Sequence, residues 1–152
     1  MTSAPAIINL PRPKGLLKAL FNLPILAHRV GMGQLLPPMF MVLTVPGRKS
    51  GKLYHTALEC RNMGDSLWVI SGWGEQTHWY KNVREARVVT IQHRGQTYAA
   101  RAAFIDDPDS RVRIVERFRR GMGPEMFDQS YGRLFGVVPE SSPETRRQVY
   151  EE

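Results

Sequence analysis

The residues best suited to chemistry in this sequence form a short basic run, 47–52, with the sequence GRKSGK. Glycine adopts backbone conformations that other residues avoid, so its two glycines allow a tight turn that approaches a ligand closely. Three cations and a hydroxyl could then bind a phosphate or carboxylate through charge-assisted hydrogen bonds. The spacing does not fit a Walker loop. These residues alone leave two interpretations open, an anion site and the solvated basic tip of a hairpin.

A second candidate stretch, 69–74, reads VISGWG and follows an apolar segment. Its glycines would let a planar group lie against the main chain, where backbone amides can hydrogen-bond to it. Trp79 and Tyr80 then supply flat apolar surface, and Asn82 is both donor and acceptor. The alternative is a strand-to-helix turn in which the aromatic pair anchors a helix. Together, the two stretches predict one cleft that binds a phosphate tail at one end and a ring at the other.

Composition limits the class of protein. The chain has 152 residues, a net charge of +7 and a pI near 10.0, which favours an anionic partner. The arginines are spread along the chain without interleaved aromatic residues, which argues against nucleic acid. The four histidines match no zinc pattern, so no metal is expected. Cys60 is the only cysteine, which excludes an intramolecular disulfide and indicates a reducing, cytoplasmic environment.

The elements that must position these residues are mostly strands. Short apolar segments bounded by turn residues predict five antiparallel strands, at 40–45, 54–60, 66–71, 87–92 and 96–104. A hairpin loop is expected at 62–65, and a short helix at 78–84. Asp107 followed by Pro108 is typical of a helix start, and that helix should end near Gly121, with another short helix within 122–138. The predicted fold is mainly β with flanking helices (α+β), either a small antiparallel barrel or a strongly curved sheet.

The N-terminal part of the chain divides into an arm and an apolar segment. Residues 1–13 contain three prolines and predict a flexible arm, so 14–152 would be a single domain. Residues 14–36 are unusually apolar and include scattered cations, but they are too interrupted for a membrane-spanning helix. We expect this segment to pack across the core, and the alternative is a peripheral membrane contact.

The order of these motifs resembles the deazaflavin-dependent nitroreductase family over roughly residues 40–104. The resemblance rests on LTVPGRKSGK, a strand pair, SGWG, HWYKNV and a further hairpin. Proteins of this family are split antiparallel β-barrels of the FMN-binding-like type. The resemblance implies binding of coenzyme F420, a deazaflavin with a phosphodiester and a polyglutamate tail. It also implies hydride transfer from the reduced deazaflavin to a lipophilic small-molecule acceptor, which could be a quinone, an activated alkene or a nitro compound.

Positions that match the family motifs are the implied cofactor-binding residues. They are Arg48, Lys49, Ser50, Tyr54, His55 and Thr56 for the charged tail, Val69, Ile70, Ser71 and Gly72 beside the ring, and Trp79, Tyr80, Asn82 and Val83 in the element that closes the site. Ser71 is also the candidate catalytic residue, because a hydroxyl near the acceptor oxygen would stabilise developing charge. Tyr131 is a second catalytic candidate, and its alternative is a packing role.

Two other functions remain open at this stage. One is a non-catalytic carrier that holds a fatty acid or haem on the same barrel, and the other is an FMN-dependent oxidoreductase. Barrels of this kind often pair, so a homodimer is a further expectation. The expected location is cytoplasmic, and a peripheral contact of segment 14–36 with the inner face of the membrane is the alternative.

Overall fold

The computed structural model describes residues 23, 25–27, 29–72, 74–135 and 142–151. These residues fall into two compact units, an N-terminal unit within 12–103 and a C-terminal unit within 104–152. The predicted arm, 1–13, lies outside the described residues, and the single domain 14–152 stays a prediction.

A four-stranded antiparallel sheet forms the centre of the N-terminal unit. The sheet consists of β1 (Phe40–Pro46), β2 (Leu53–Glu59), β5 (Val88–His93) and β6 (Gln96–Arg101). Two shorter strands, β3 (Arg61–Met63) and β4 (Ser66–Trp68), lie between β2 and β5 in the chain. The order is β2-β1-β5-β6. Central strand β1 is buried on both faces, and Val42 and Val45 have no exposed surface. An antiparallel sheet with flanking helices is therefore confirmed, while closure into a split barrel stays a prediction.

The pairing after β2 differs from the prediction. Strand β3 pairs with β4 in a separate two-stranded sheet, and only Gly64 and Asp65 form the turn between them. The chain leaves the larger sheet at Cys60, which is fully buried and donates its backbone N–H to Met39 O at 2.7 Å. The predicted strand 66–71 therefore ends at Trp68, so residues 69–71 are not paired with another strand.

Helix α1 (His78–Ala86) follows as predicted and is two residues longer than expected. It packs against β1 and β5, and its buried residues are Asn82 and Val83. It ends at Arg87, whose backbone is left-handed at φ 60° and whose N–H bonds to Val83 O. The helix thus places one buried polar side chain against the sheet.

The described part of the apolar N-terminal segment contacts the sheet through its last residues. Its 3-10 turn, Gly33–Leu35, places Gln34 where a side chain at Gly95 would have to lie. Farther along, Pro38 O accepts a hydrogen bond of 2.7 Å from His93. Five large apolar side chains in the described part of the segment are more than half exposed, namely Leu23, Leu26, Val30, Met32 and Leu35. The expectation of core packing is wrong for these five.

The described residues of the C-terminal unit form three helices, α2 (Pro108–Met122), α3 (Pro124–Phe135) and α4 (Pro143–Glu151). The predicted helix start is confirmed, since Asp107 accepts a hydrogen bond of 2.8 Å from the backbone N–H of Ser110. Helix α4 was not predicted, because its sequence is polar and only Arg146 and Tyr150 are buried.

One buried carboxylate joins the three helices. Asp128 of α3 accepts two hydrogen bonds of 3.0 Å from Arg119 of α2 and two of 3.1 Å from Arg146 of α4. Its side chain is 2% exposed. The hydrogen bonds from Arg119, and secondarily those from Arg146, hold the pKa of Asp128 below its ordinary value. Neutralising this carboxylate would remove the negative charge that Arg119 and Arg146 share.

We therefore expect Asp128→Asn to lower the free energy of unfolding by roughly 3–5 kcal/mol, because two guanidinium groups lose the buried charge that they share. Because the pKa of Asp128 is lowered on folding, its contribution is complete above its unfolded pKa, about 3.9, and is lost as the pH falls through the folded value. Urea unfolding followed by circular dichroism measures this. Asp109→Asn is the control, since its ion pair with Arg147 is exposed and should contribute about 1 kcal/mol or less. Equal losses would contradict the prediction.

Candidate functional site

The basic run 47–52 forms an ordered turn between β1 and β2. The N–H of Gly47 donates to Lys52 O at 2.8 Å, and the N–H of Gly51 donates to Gly47 O at 2.7 Å. Gly51 has a φ of 68°, a conformation that favours glycine. At Gly47, a β-carbon would lie 2.5 Å from the ring of Tyr54. Both glycines of the predicted turn are thus required by its geometry.

The turn presents positive charge that no carboxylate neutralises. Among the described residues, Arg48, Lys49 and Lys52 form no ion pair. The backbone N–H groups of Lys49 and Ser50 likewise have no acceptor within the described part of the chain. Successive free N–H groups beside cations are a favourable arrangement for an anion. The turn therefore fits an anionic ligand group.

Helix α1 contacts this turn through one hydrogen-bonded side chain. Asn82, which is 5% exposed, accepts 3.2 Å and 2.9 Å bonds at Oδ1 from the backbone N–H and the guanidinium of Arg48. The two motifs that the sequence suggested are therefore in direct contact, although 34 residues separate them.

The stretch that should face a ring lies at the other end of α1. Val69, Ile70, Ser71 and Gly72 are half-buried, and Trp73 is outside the described residues. The hydroxyls of Ser71 and Thr77 are 3.3 Å apart. Thr77 is the N-cap residue of α1, but its side chain makes no capping bond. Thr77 thus contacts Ser71 and not the amides of its own helix.

The aromatic pair of α1 is half-buried, with the rings of Trp79 and Tyr80 5.9 Å apart and edge to face. The guanidinium of Arg84 lies 5.8 Å from the centre of the Tyr80 ring. This geometry fits the structural alternative, a helix anchored by its aromatic residues, and it leaves a ligand contact as a prediction.

The three predicted positions on β2 do not share one face of the sheet. Successive side chains of a strand alternate, so Tyr54 and Thr56 lie on the face opposite to His55. Tyr54 packs on Gly47, whereas His55 Nδ1 lies 2.8 Å from Thr44 Oγ1 on β1. A ligand on one face of this strand can contact Tyr54 and Thr56, or His55, but not all three side chains.

Tyr131 lies in the C-terminal unit, on α3. Its ring stacks on Phe127 with centroids 5.0 Å apart, and Phe127 is 1% exposed. This contact fits the packing alternative, and a catalytic role for Tyr131 stays a prediction.

Neither the Cys60 thiol nor the possible metal ligands among the described residues form a second candidate site. Burial raises the pKa of the Cys60 thiol to about 11, and the thiol lies 3.9 Å from Pro38 O, so it is a packed and unreactive group. Among the described residues, no three His, Cys, Asp or Glu side chains are grouped to bind a metal ion. No helix in the described ranges is long and apolar enough to cross a membrane.

The site predicted from the sequence did not include Thr77. Lys52 belongs to the predicted basic turn as the last cation of GRKSGK, and its backbone N–H donates a hydrogen bond of 3.3 Å to Ser50 Oγ. Thr77 has only the pattern of an ordinary helix cap, so nothing in the sequence indicated its contact with Ser71.

The positive charge of the chain is concentrated in the unit that contains the turn. Residues 12–103 hold 13 Lys and Arg against four Asp and Glu, a net charge of +9. Residues 104–152 hold eight Lys and Arg against ten Asp and Glu, a net charge of −2. An anionic ligand would be attracted to the N-terminal unit.

Residues 25–120 match the sequence profile of a family described as F420H(2)-dependent quinone reductase. The matched residues include both sheets, the basic turn and helix α1, and they extend into α2. No curated protein matches the chain.

Proposed function

The chain belongs to the F420H(2)-dependent quinone reductase family, and on that premise we propose that it reduces a lipophilic quinone with coenzyme F420, whose reduced deazaflavin supplies the hydride. The basic turn is the observation that supports this proposal most directly. Within the described ranges it offers three cations without a carboxylate partner and two backbone N–H groups without an acceptor, and the cofactor has an anionic phosphodiester and polyglutamate tail.

The residues of the turn fit the anionic part of the cofactor. Arg48 and Lys49 supply charge, and Ser50 supplies an N–H and a hydroxyl. Because this charge is already fixed beside α1, binding requires little rearrangement of the turn. The remaining predicted residues, Tyr54, Thr56, Val69, Ile70, Gly72, Trp79, Tyr80 and Val83, would surround the tail and ring, with His55 on the other face of β2. We propose a single-domain split barrel as the fold that encloses them.

Ser71 is proposed to stabilise the acceptor. A quinone that takes up a hydride and one proton becomes a hydroquinone, and negative charge develops on its oxygen before the proton arrives from water. The Ser71 hydroxyl can donate a hydrogen bond to that oxygen, while Thr77, 3.3 Å away, restrains its orientation. Activated alkenes and nitro compounds would develop charge on oxygen in a related way and are included as proposed acceptors.

The cofactor proposal is tested by titration of the purified protein with F420, followed by the fluorescence of the deazaflavin. We expect Lys49→Ala to weaken binding about tenfold, which corresponds to one lost charge-assisted contact, and to reduce the dependence of affinity on salt. Arg101→Ala removes the same charge from exposed β6 and is the matched control. Equal effects of the two variants would show that the turn is not the anion site.

The same titration separates the alternative functions. A yellow purified protein that does not bind F420 would favour FMN, and a lipophile found by native mass spectrometry would favour a carrier. The proposed homodimer is tested by sedimentation of the same material.

The role of Ser71 is tested with the reduced cofactor and a soluble menaquinone analogue under anaerobic conditions. We expect Ser71→Ala to lower kcat about tenfold or more, because one donor to the developing charge is lost, with a smaller change in cofactor affinity. Ser66→Ala, at an exposed position of β4, is the control. An unchanged kcat in Ser71→Ala would exclude the proposed stabilisation.

We also propose that the apolar segment brings the protein to the cytoplasmic face of a membrane, where a lipophilic quinone is available. Leu35 is 74% and Val30 59% exposed, and Arg29 is an exposed cation in the same segment. Apolar residues flanked by cations suit a bilayer with anionic headgroups.

Sedimentation with vesicles of phosphatidylglycerol tests this contact. The double variant Val30→Glu, Leu35→Glu should release most of the protein into the supernatant, because charges enter the interface in place of apolar side chains. Met126→Glu is the control, since Met126 is 60% exposed in the C-terminal unit. If the double variant and the control sediment alike, the segment does not contact the membrane.

A further inference from the structure

The side chain of Asn82 connects the two parts of the proposed cofactor site. It lies on α1, the helix that also contains Trp79 and Tyr80. Its oxygen accepts both hydrogen bonds from Arg48, one from the backbone and one from the guanidinium. One side chain therefore determines where the basic turn lies relative to the helix.

The chemistry of these bonds fixes the orientation of the amide. Arg48 can only donate, through its backbone N–H and its guanidinium, so the atom that both groups approach must be the carbonyl oxygen of Asn82. The amide nitrogen then points elsewhere. That nitrogen has no partner among the described residues, and it is not one of their fully buried unpaired atoms. The carbonyl oxygen of Asn82 is thus hydrogen-bonded to Arg48, and the amide nitrogen of Asn82 remains accessible.

We propose that Asn82 is a positioning residue for Arg48, which holds the basic turn in its ligand-binding conformation and in a fixed place relative to α1. This inference rests on the proposed function. It differs from a direct cofactor contact by Asn82, because the effect of Asn82 on binding passes through Arg48.

The physical reason is the conformational entropy of the turn and of the arginine. A long side chain that is ordered only when the ligand arrives loses rotamer freedom at that moment, and affinity falls accordingly. The hydrogen bonds to Asn82 order the Arg48 side chain before the ligand binds. Its removal leaves every charge of the turn in place, so affinity should fall while the salt dependence stays as in the wild type. Lys49→Ala, in contrast, should change the salt dependence.

A measurement without ligand tests the positioning directly. We expect Asn82→Leu to accelerate amide hydrogen exchange of Arg48, measured by NMR, because its acceptor is lost. Asn82→Asp should retain protection, since a carboxylate still accepts from both donors. Val89→Ala is the stability control, because Val89 is buried on β5 at 7% exposure outside the turn. If Asn82→Leu does not fold, Asn82→Ala makes the same comparison.

A double-mutant cycle in F420 affinity tests the consequence for binding. Asn82→Leu should weaken binding about tenfold in the wild type and clearly less when Arg48 is already alanine, which shows coupling between the two residues. The proposal is overturned if the two effects are additive, or if Arg48 exchanges no faster in Asn82→Leu than in Val89→Ala. If the wild type does not bind F420, the proposed function fails, and the exchange measurement still decides the positioning role.

Discussion

The contact between Arg48 and Asn82 is the interaction on which the proposed site depends. A six-residue turn rich in glycine and lysine would sample many conformations if only its own hydrogen bonds held it. The buried amide of Asn82 selects one of these conformations, since it binds the main chain and the side chain of Arg48 at once. The cations of the turn then stay close to one another, despite their mutual repulsion, at a place defined by the helix. Like charges that have no carboxylate partner among the described residues are an arrangement that suits an anionic ligand, and this is why the turn supports the proposed site.

The distribution of charge supports the same interpretation at a larger scale. The N-terminal unit is strongly basic, whereas the C-terminal unit is slightly acidic and uses its arginines internally. Arg119 and Arg146 are both bound to Asp128, so they stabilise helices and are not available to attract a ligand. The overall net charge of +7 therefore understates how basic the unit with the turn is. The two units differ in the number of cations, 13 against eight, and in the number of acidic residues, four against ten.

The sequence predicted the parts of the fold that local chemistry determines. Apolar alternation located β1 and β5, and Asp107 with Pro108 located the start of α2. It did not predict the pairing of β3 with β4, because a strand of three polar and mixed residues has no recognisable pattern. Helix α4 was missed since its sequence is polar and its buried residues include an arginine. The contact between Asn82 and Arg48 connects distant positions, so only the order of family motifs placed them in one site, and the bond itself required coordinates.

The position of Gly95 has a consequence for how this protein can vary. Gln34 occupies the space that any β-carbon at position 95 would need, and Gly95 also has a φ of 75°. A side chain there would have to displace the side chain of Gln34, which belongs to the 3-10 turn next to Leu35. The tip of the β5–β6 hairpin and the exposed apolar segment are therefore a matched pair, in which a change to one requires a compensating change to the other. Homologues that differ at position 95 should also differ in how, or whether, they present an apolar surface from this part of the chain.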